Sequence, residues 1–320
     1  MIDLSIIIIN YKTPEITCNC INSIYQYEPD LNFEIIVVDN FSNDNSKELI
    51  LKNYSQVSYI QMEYNSGFSR ANNVGIKNSN GNYILFLNSD TLIYKKNSIK
   101  KCLSYYRTKE AVNNVGLLGC KLLNTDKTLQ YSSFKKFYSI TDELKNNPLY
   151  IKIFDDKRKS KLKTENKLNI SHKETHNTSW LCGAFLMTKK SIIIENNLFF
   201  DEDFFLYSED AEFSNRFIKK NLKNIFYSDI SIIHLSGKSS AKSEKKQLQI
   251  ILSLWLLYKK INGKLWYKIL FLVFKINYKL DYLLNKNVDN LTIKSQIQLR
   301  KKAIESEHLV RKGKFFSVYN

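Results

Sequence analysis

The chain has 320 residues, of which 43% are hydrophobic and 13% aromatic, and a formal net charge of +17. It is too apolar for a disordered segment and long enough to bury a large core, so one sizeable domain with or without an appendage is expected. From residue 235 onward lie 18 of the 48 Lys/Arg but only 5 of the 31 Asp/Glu, which makes a near-neutral body with a basic tail.

The predicted elements alternate from the start. Leu4–Ile9 is a β-branched run of the kind buried on both faces of a sheet, and Met1-Ile2-Asp3-Leu4 enters it without a charged leader, so no signal peptide is expected. Pro14 suits the first turn of a helix to about Tyr27. Phe33–Val38 reads as a second strand, with Asp44 or Ser46 placed to cap a helix to about Leu51. Val57–Met62 reads as a third strand, Gly67–Lys77 as a helix and Tyr83–Leu87 as a fourth strand. This alternation predicts a parallel sheet, in which ligands sit beyond the carboxyl ends of the strands. Asn10-Tyr11, Asp39-Asn40, Asn65-Ser66-Gly67 and Asn88-Ser89-Asp90 all fall at those ends. A strand that delivers a carboxylate at its exit is one way to hold a metal ion against a phosphate.

Further along, a helix and a short strand, Gly116–Leu122, are expected, then a polar, lysine-rich insertion over residues 135–175. Ser179–Met187 reads as one strand, Glu209-Asp210 as the start of a helix to Lys220, and Ile225–Ile233 as a strand ending at His234. The tail holds two apolar blocks, Leu248–Tyr258 and Leu265–Ile276, with lysines between and within them, and a weaker helix near Ile293–Val310. Interleaved Trp255, Tyr258, Trp266 and Tyr267 suit helices lying in a membrane interface, against which stands an ordinary helical hairpin packed on the core. No apolar run reaches the roughly 18 residues a spanning helix needs. The five cysteines show no CxxC spacing, as expected for reduced thiols.

The ordered set Ser5-Ile6-Ile7-Ile8-Ile9-Asn10-Tyr11, Glu34-Ile35-Ile36-Val37-Val38-Asp39-Asn40, Asn65 through Gly75 and Leu87-Asn88-Ser89-Asp90-Thr91 closely resembles the family 2 glycosyltransferases, most of all the bacterial rhamnosyltransferase-like branch. Trp180-Leu181-Cys182-Gly183-Ala184, Phe204 through Asp210 and His234-Leu235-Ser236-Gly237-Lys238-Ser239-Ser240 continue the pattern, so the resemblance spans about residues 3–280. It implies an α/β GT-A fold, here followed by a basic helical, amphipathic extension. It divides the chain into a glycosyltransferase domain over residues 1–240 (a nucleotide-sugar half, 1–125, and an acceptor half, 126–240) and a tail over 241–320. It also implies a nucleoside-diphosphate-sugar donor (dTDP-rhamnose or a UDP-sugar), a divalent metal (Mg²⁺ or Mn²⁺), inversion at the anomeric carbon, and a saccharide or lipid-linked saccharide acceptor in cell-surface polysaccharide synthesis. The implied setting is the cytoplasm, peripheral on the inner face of the plasma membrane through the tail.

The residue roles follow from the same resemblance. Asp90 and His234 are the metal ligands, with Lys238 near the phosphates. Asn10, Tyr11, Asp39, Asn40, Asn65, Gly67, Arg70, Asn73, Asn88, Ser89 and Asp90 form the nucleotide-sugar set, in which Asp39 accepts the N3–H of uracil or thymine. Asp210 is the general base, with Glu209 orienting acceptor or sugar. Trp180 and Gly183 shape the sugar pocket. The motif Asn88-Ser89-Asp90 has Asn rather than Asp first, leaving one carboxylate as is normal for this branch, and lacks the branch's usual middle Pro, and Cys182 stands where a small residue such as Ser is more usual.

Other functions fit less well. A dinucleotide-binding oxidoreductase would need G-x-G-x-x-G at the first strand-to-helix turn, where Asn10–Pro14 lacks it. A basic nucleic-acid-binding protein would carry its charge on the body. A non-catalytic scaffold of this fold would have no reason to keep Asp39, Asp90, Asp210 and His234.

Overall fold

Alternating β-branched residues set the two faces of the sheet, because successive side chains along a strand point to opposite sides. The first seven elements are β1 (Leu4–Asn10), α1 (Pro14–Tyr27), β2 (Phe33–Asp39), α2 (Ser46–Asn53), β3 (Ser58–Gln61), α3 (Gly67–Asn78) and β4 (Tyr83–Leu87), as expected from the sequence to within about two residues. Then come β5 (Thr91–Leu92), α4 (Ser98–Asn113), β6 (Val115–Leu123), β7 (Leu129–Gln130), β8 (Ser133–Phe134) and α5 (Ile140–Lys145). The chain continues with β9 (His176–Thr178), β10 (Trp180–Leu181), β11 (Phe185–Lys189), α6 (Lys190–Asn196), α7 (Glu209–Lys219) and β12 (Lys223–His234). It closes with α8 (Glu244–Asn285), α9 (Leu291–Glu305) and α10 (Glu307–Lys312). This computed structural model describes residues 2–145, 172–235, 243–285, 290–312 and 317–318. Most of the predicted insertion, and Lys238, lie outside the described residues.

The main sheet has the order β3-β2-β1-β4-β11-β6-β12-β5, with β7 on β6 and β9 on β12. β3, β2, β1 and β4 run parallel. β11 enters antiparallel between β4 and β6, so the sheet is mostly parallel rather than wholly so. The predicted strand Ser179–Met187 is in fact two: β10 pairs with β8 in a small separate sheet, and β11 joins the large one. The turn between them, Cys182-Gly183-Ala184, is thereby brought to the carboxyl end of β4, where Asn88 N–H donates to Ala184 O at 3.1 Å.

One face of the sheet packs Leu4, Ile6, Ile8 and Leu85 against Cys20, Ile21 and Ile24 of α1 and Ile99, Leu103 and Tyr106 of α4. The other packs Ile7, Ile84 and Phe86 against Ile76 of α3, Ile193 of α6 and Phe213 and Phe217 of α7. Two covered faces explain why these strands read as continuous apolar runs.

In the tail, the two apolar blocks lie on one long helix, α8, broken at Gly263, where φ is +88°. The first block is core: Leu252, Trp255, Leu256 and Tyr258 are buried with Phe204 and Ala211 of the body. This corrects part of the interface expectation. Trp255 and Tyr267 are 2% and 4% exposed and Tyr258 is buried, whereas Trp266 is 53% exposed. Lys260 of α8 grips the segment before α7, with Nζ 2.5 Å from Asp201 and 2.6 Å from Asp203. Among the described residues no helix is long and apolar enough to cross a membrane.

Candidate active site

The carboxyl ends of β1, β2 and β3 place three polar side chains side by side, because Asn10 pairs in register with Asp39 and Asp39 with Gln61. Asp39 is fully buried. Its Oδ2 accepts from Asn10 Nδ2 and Ser42 Oγ, each at 2.6 Å, and its Oδ1 accepts from Ser42 N–H at 2.7 Å and Gln61 Nε2 at 2.8 Å. Four donors, each worth about 1.5–3 kcal/mol to a charged acceptor, hold this carboxylate rigid at the rim. Asn40 accepts from Ser66 N–H at 2.8 Å and donates to Asn65 Oδ1 at 2.8 Å, which fixes the loop into α3. Tyr11 is exposed at the same rim, with the Lys12 ammonium 5.4 Å from its ring.

The next strand leads to Asn88-Ser89-Asp90, the motif that the resemblance assigns to the metal. Asp90 is buried, and its Oδ1 lies 3.3 Å from His234 Nε2. Pairing of β5 with β12 sets this contact by putting Thr91 opposite His234, and Leu235 N–H donates to Asp90 O at 2.8 Å. Gln130 of β7 clamps the histidine twice. Its Nε2 donates to His234 O at 2.6 Å, which leaves its Oε1 to accept from Nδ1 at 2.9 Å. The Nδ1–H tautomer turns Nε2 toward Asp90. Nε2 and the Asp90 carboxylate thus face one another across a distance that two ligands of one cation could span. Asn88 Oδ1, at the first position of the motif, is buried with no hydrogen-bond partner among the described residues. One carboxylate, one imidazole and one amide oxygen suit Mg²⁺ or Mn²⁺, so these residues fit the implied ion. Among the described residues no three His, Cys, Asp or Glu form a complete cage, and phosphate oxygens would have to fill the shell.

The third cluster sits at the start of α7. Gly183 N–H donates to Asp210 Oδ2 at 2.9 Å and Ala211 N–H to Oδ1 at 2.8 Å. Glu209 is buried, and its Oε2 has no hydrogen-bond partner among the described residues. Burial, and then the Asp210 charge, push the Glu209 carboxyl up. Burial also raises Asp210, but the Gly183 and Ala211 N–H groups oppose it. Both carboxyls are thus pushed up, with the two backbone donors favouring the charge on Asp210 and the unpartnered Oε2 favouring the proton on Glu209. Because Glu209 stays protonated when folded at pH values where it ionises unfolded, it lowers stability progressively as pH rises above the ordinary glutamate range. Glu209→Gln is therefore expected to raise the melting temperature at pH 8 and leave it nearly unchanged at pH 4. An equal gain at both pH values would rule out the proton assignment.

The clusters meet at one place. Burial pushes the Cys182 thiol up to about 12, with the charges of Asp210, Glu209 and Asp90 all adding to the effect. That thiol stays protonated, and the three carboxyls share its surroundings. On the other side, Phe68 N–H donates to Phe205 O at 2.7 Å, tying the α3 loop to the segment before Glu209. Gly67 makes this approach: its φ is +80°, and a Cβ there would lie 2.3 Å from Phe205 O. Gly67→Ala is expected to cost about 2–4 kcal/mol in denaturant unfolding, from left-handed strain plus a backbone clash. An unchanged midpoint would mean the two loops are not locked together. Backbone strain gathers here too. Of the five described positive-φ residues other than Asn and Gly, Lys12, Phe41, Tyr207 and Ser208 lie in these turns, and only Lys127 lies elsewhere.

Some predicted site residues stand differently. Asn73 is buried, and its amide bridges Phe200 N–H, Phe200 O and Glu202, so the structure uses it to hold the 200–202 segment. Arg70 pairs with Glu202 at 3.5 Å and donates to Tyr64 Oη at 3.0 Å. Trp180 has one ring face covered by Phe134, centroids 3.6 Å apart, leaving at most the other for a sugar. Ser89 is half-buried beside Asp90. The sequence reading missed Ser42, Gln61 and Gln130. Gln61 follows the rule of a polar residue at each strand's carboxyl end, whereas nothing local marks Gln130, which is 104 residues from His234.

Comparison with known proteins bears on the family and the fold. The profile for "Glycosyl transferase family 2" matches residues 5–193. The chain is 26% identical over 234 residues, 68% of its own length and 67% of the relative's, to a poly(ribitol-phosphate) beta-N-acetylglucosaminyltransferase, TarP, of Staphylococcus aureus. It is 31% identical over 100 residues to TarS of the same species, 30% of this chain and 18% of that protein. Among solved structures, a mannosyltransferase of Pyrobaculum calidifontis in complex with GDP-Man and Mn²⁺ superposes with a TM-score of 0.57 at 13% identity, covering 97% of this chain and 85% of that one. S. aureus TarS 1-349 in complex with UDP-GlcNAc gives 0.51 at 15% identity, covering 98% and 93%. The fold is thus GT-A, and with a profile match over more than half its length the chain belongs to glycosyl transferase family 2.

Proposed function

We propose that this family 2 glycosyltransferase moves a sugar from a pyrimidine nucleoside diphosphate to a hydroxyl of a cell-surface saccharide, free or lipid-linked, at the cytoplasmic side of the membrane. The observation that carries the reading is Asp210. It is a partly exposed carboxylate held by two backbone N–H groups, in the same electrostatic surroundings as Asp90. In the proposed reaction the acceptor oxygen attacks the anomeric carbon from the face opposite the diphosphate and gives its proton to Asp210. The C–O bond to the diphosphate breaks with its electron pair on the leaving phosphate, and the configuration inverts. Glu209, neutral, donates a hydrogen bond to the bound sugar. Asp39, Asn10 and Gln61 frame the base, and the Asn65–Gly67 loop and Arg70 flank the diphosphate. A divalent ion held by Asp90 and His234 would neutralise the leaving group.

A uracil donor is favoured by the relatives named for N-acetylglucosamine transfer and by the UDP-GlcNAc complex of TarS. The rhamnosyltransferase-like motif order keeps dTDP-rhamnose as the second reading. A thermal-shift panel of UDP, dTDP, GDP and ADP, each with Mn²⁺ or chelator, tests both, because a ligand that binds only the folded state raises its stability. Stabilisation by UDP or dTDP that requires the ion is expected. A preference for a purine diphosphate would overturn the base assignment.

A further inference from the structure

The half of α8 after Gly263 has two apolar faces, and only one is covered. Tyr267, Leu270, Phe274 and Asn277 turn inward and are buried against α5, α9 and α10. On the opposite side Leu265, Ile269, Leu272, Ile276 and Leu283 follow one another at helical spacing and are 70%, 36%, 57%, 47% and 60% exposed. This stripe runs about 27 Å, at about 1.5 Å per residue. Single exposed apolar residues are ordinary, but an aligned row of five is not. Trp266 is exposed beside it.

A row of lysines runs along one flank. Lys264, Lys268, Lys275 and Lys279 repeat at intervals of four and seven residues, all are exposed, and no acidic residue occurs between Lys264 and Leu280. None of the four forms an ion pair among the described residues. Apolar surface and unneutralised positive charge on the same strip match one partner chemically: the acyl–headgroup boundary of an anionic bilayer. There the stripe enters the hydrocarbon edge and the ammonium groups reach the phosphates. A partner protein groove would be expected to meet the lysines with carboxylates, and a second copy of this helix would set lysine against lysine.

We propose that the helix segment Lys264–Asn285 is a membrane-docking face that lies flat on an anionic lipid surface through Leu265, Ile269, Leu272, Ile276 and Leu283. Gly263, with nothing within 4 Å of a Cβ built on it, separates this half from the half packed on the body. The latter grips the segment before the base through Lys260 and through Ser253 Oγ, which donates to Leu206 O at 2.8 Å. The inference goes beyond the transfer reaction and holds whichever sugar is moved.

The test is flotation of the full chain with vesicles of phosphatidylcholine alone and of equal parts phosphatidylcholine and phosphatidylglycerol. Binding to the anionic vesicles only, with a blue shift in tryptophan emission from Trp266, is expected. Lys264→Gln/Lys268→Gln/Lys275→Gln/Lys279→Gln is expected to lower the partition about a hundredfold or more, at about fivefold per lysine near the surface. Leu272→Ser/Ile276→Ser is expected to lower it at least tenfold. All four lysines and both apolar residues are exposed, so neither variant threatens folding, and nucleotide binding should be unchanged in each. Failure of the wild-type chain to float with anionic vesicles would overturn the proposal. So would a lipid-free dimer that Leu272→Ser/Ile276→Ser dissociates, since the stripe would then be an interface between copies. Loss of nucleotide binding in a chain that still floats would count against the transfer reading alone.

Discussion

Asp210→Asn is expected to reduce the transfer rate by about 10²–10⁴-fold while donor affinity stays within about twofold. The substitution keeps shape, and the amide oxygen can still accept from Gly183 N–H, now at 2.9 Å from Oδ2. What it removes is the ability to take a proton, together with the acceptor of Ala211 N–H, 2.8 Å from Oδ1. The acceptor hydroxyl is a poor nucleophile until that proton leaves, so the loss should appear in kcat and not in binding. Calorimetry of donor binding beside single-turnover transfer separates the two. Equal loss of both would place Asp210 in the donor site, and Glu209 would become the next candidate. A related outcome concerns pH. Burial raises the Asp210 carboxyl, so the rate should fall as pH drops, through a midpoint above the ordinary aspartate range.

Asp90→Ala is expected to abolish the ion-dependent part of nucleotide binding, a loss of about 100-fold or more in affinity for the nucleoside diphosphate with Mn²⁺ present. With Asp90 gone, His234 Nε2 loses the partner 3.3 Å away, and Asn88 Oδ1 remains as the neighbouring oxygen. Binding in chelator should differ little between wild type and variant, because each then lacks the ion. The measurement is a titration of the diphosphate with Mn²⁺ and with chelator for both proteins. Retention of a Mn²⁺ enhancement in the variant, or full wild-type activity in chelator, would remove Asp90 from the ion site.

The relation between Asp90 and Asp210 shows how far residue order carries. Each was identifiable as a carboxylate at an element boundary, one leaving β4 and one opening α7. Their shared surroundings depend on the Cys182–Ala184 turn. It reaches Asn88 only because β11 inserts antiparallel beside β4, and no local pattern marks that insertion. A five-residue apolar run pairs equally well in either direction, so strand polarity is settled by the sheet as a whole. Gln130 is a similar case. It lies on a two-residue strand, and its meaning arises from the histidine it clamps. Asn73 shows the converse: a motif position that looked ready for a ligand is taken up by the backbone of Phe200.

By itself the sequence determined the α/β alternation, the buried runs of β1, β2 and β4, the row of polar strand ends and the uneven charge. These follow from local periodicity and composition, which need no partner to be visible. Only the tertiary structure decided which partners those groups meet: the clamp on His234, the proton on Glu209, and which face of α8 stays outside. A helix with apolar residues on two sides presents both equally in sequence, and packing against α5, α9 and α10 chose the one to bury, leaving the lysine-flanked face to solvent.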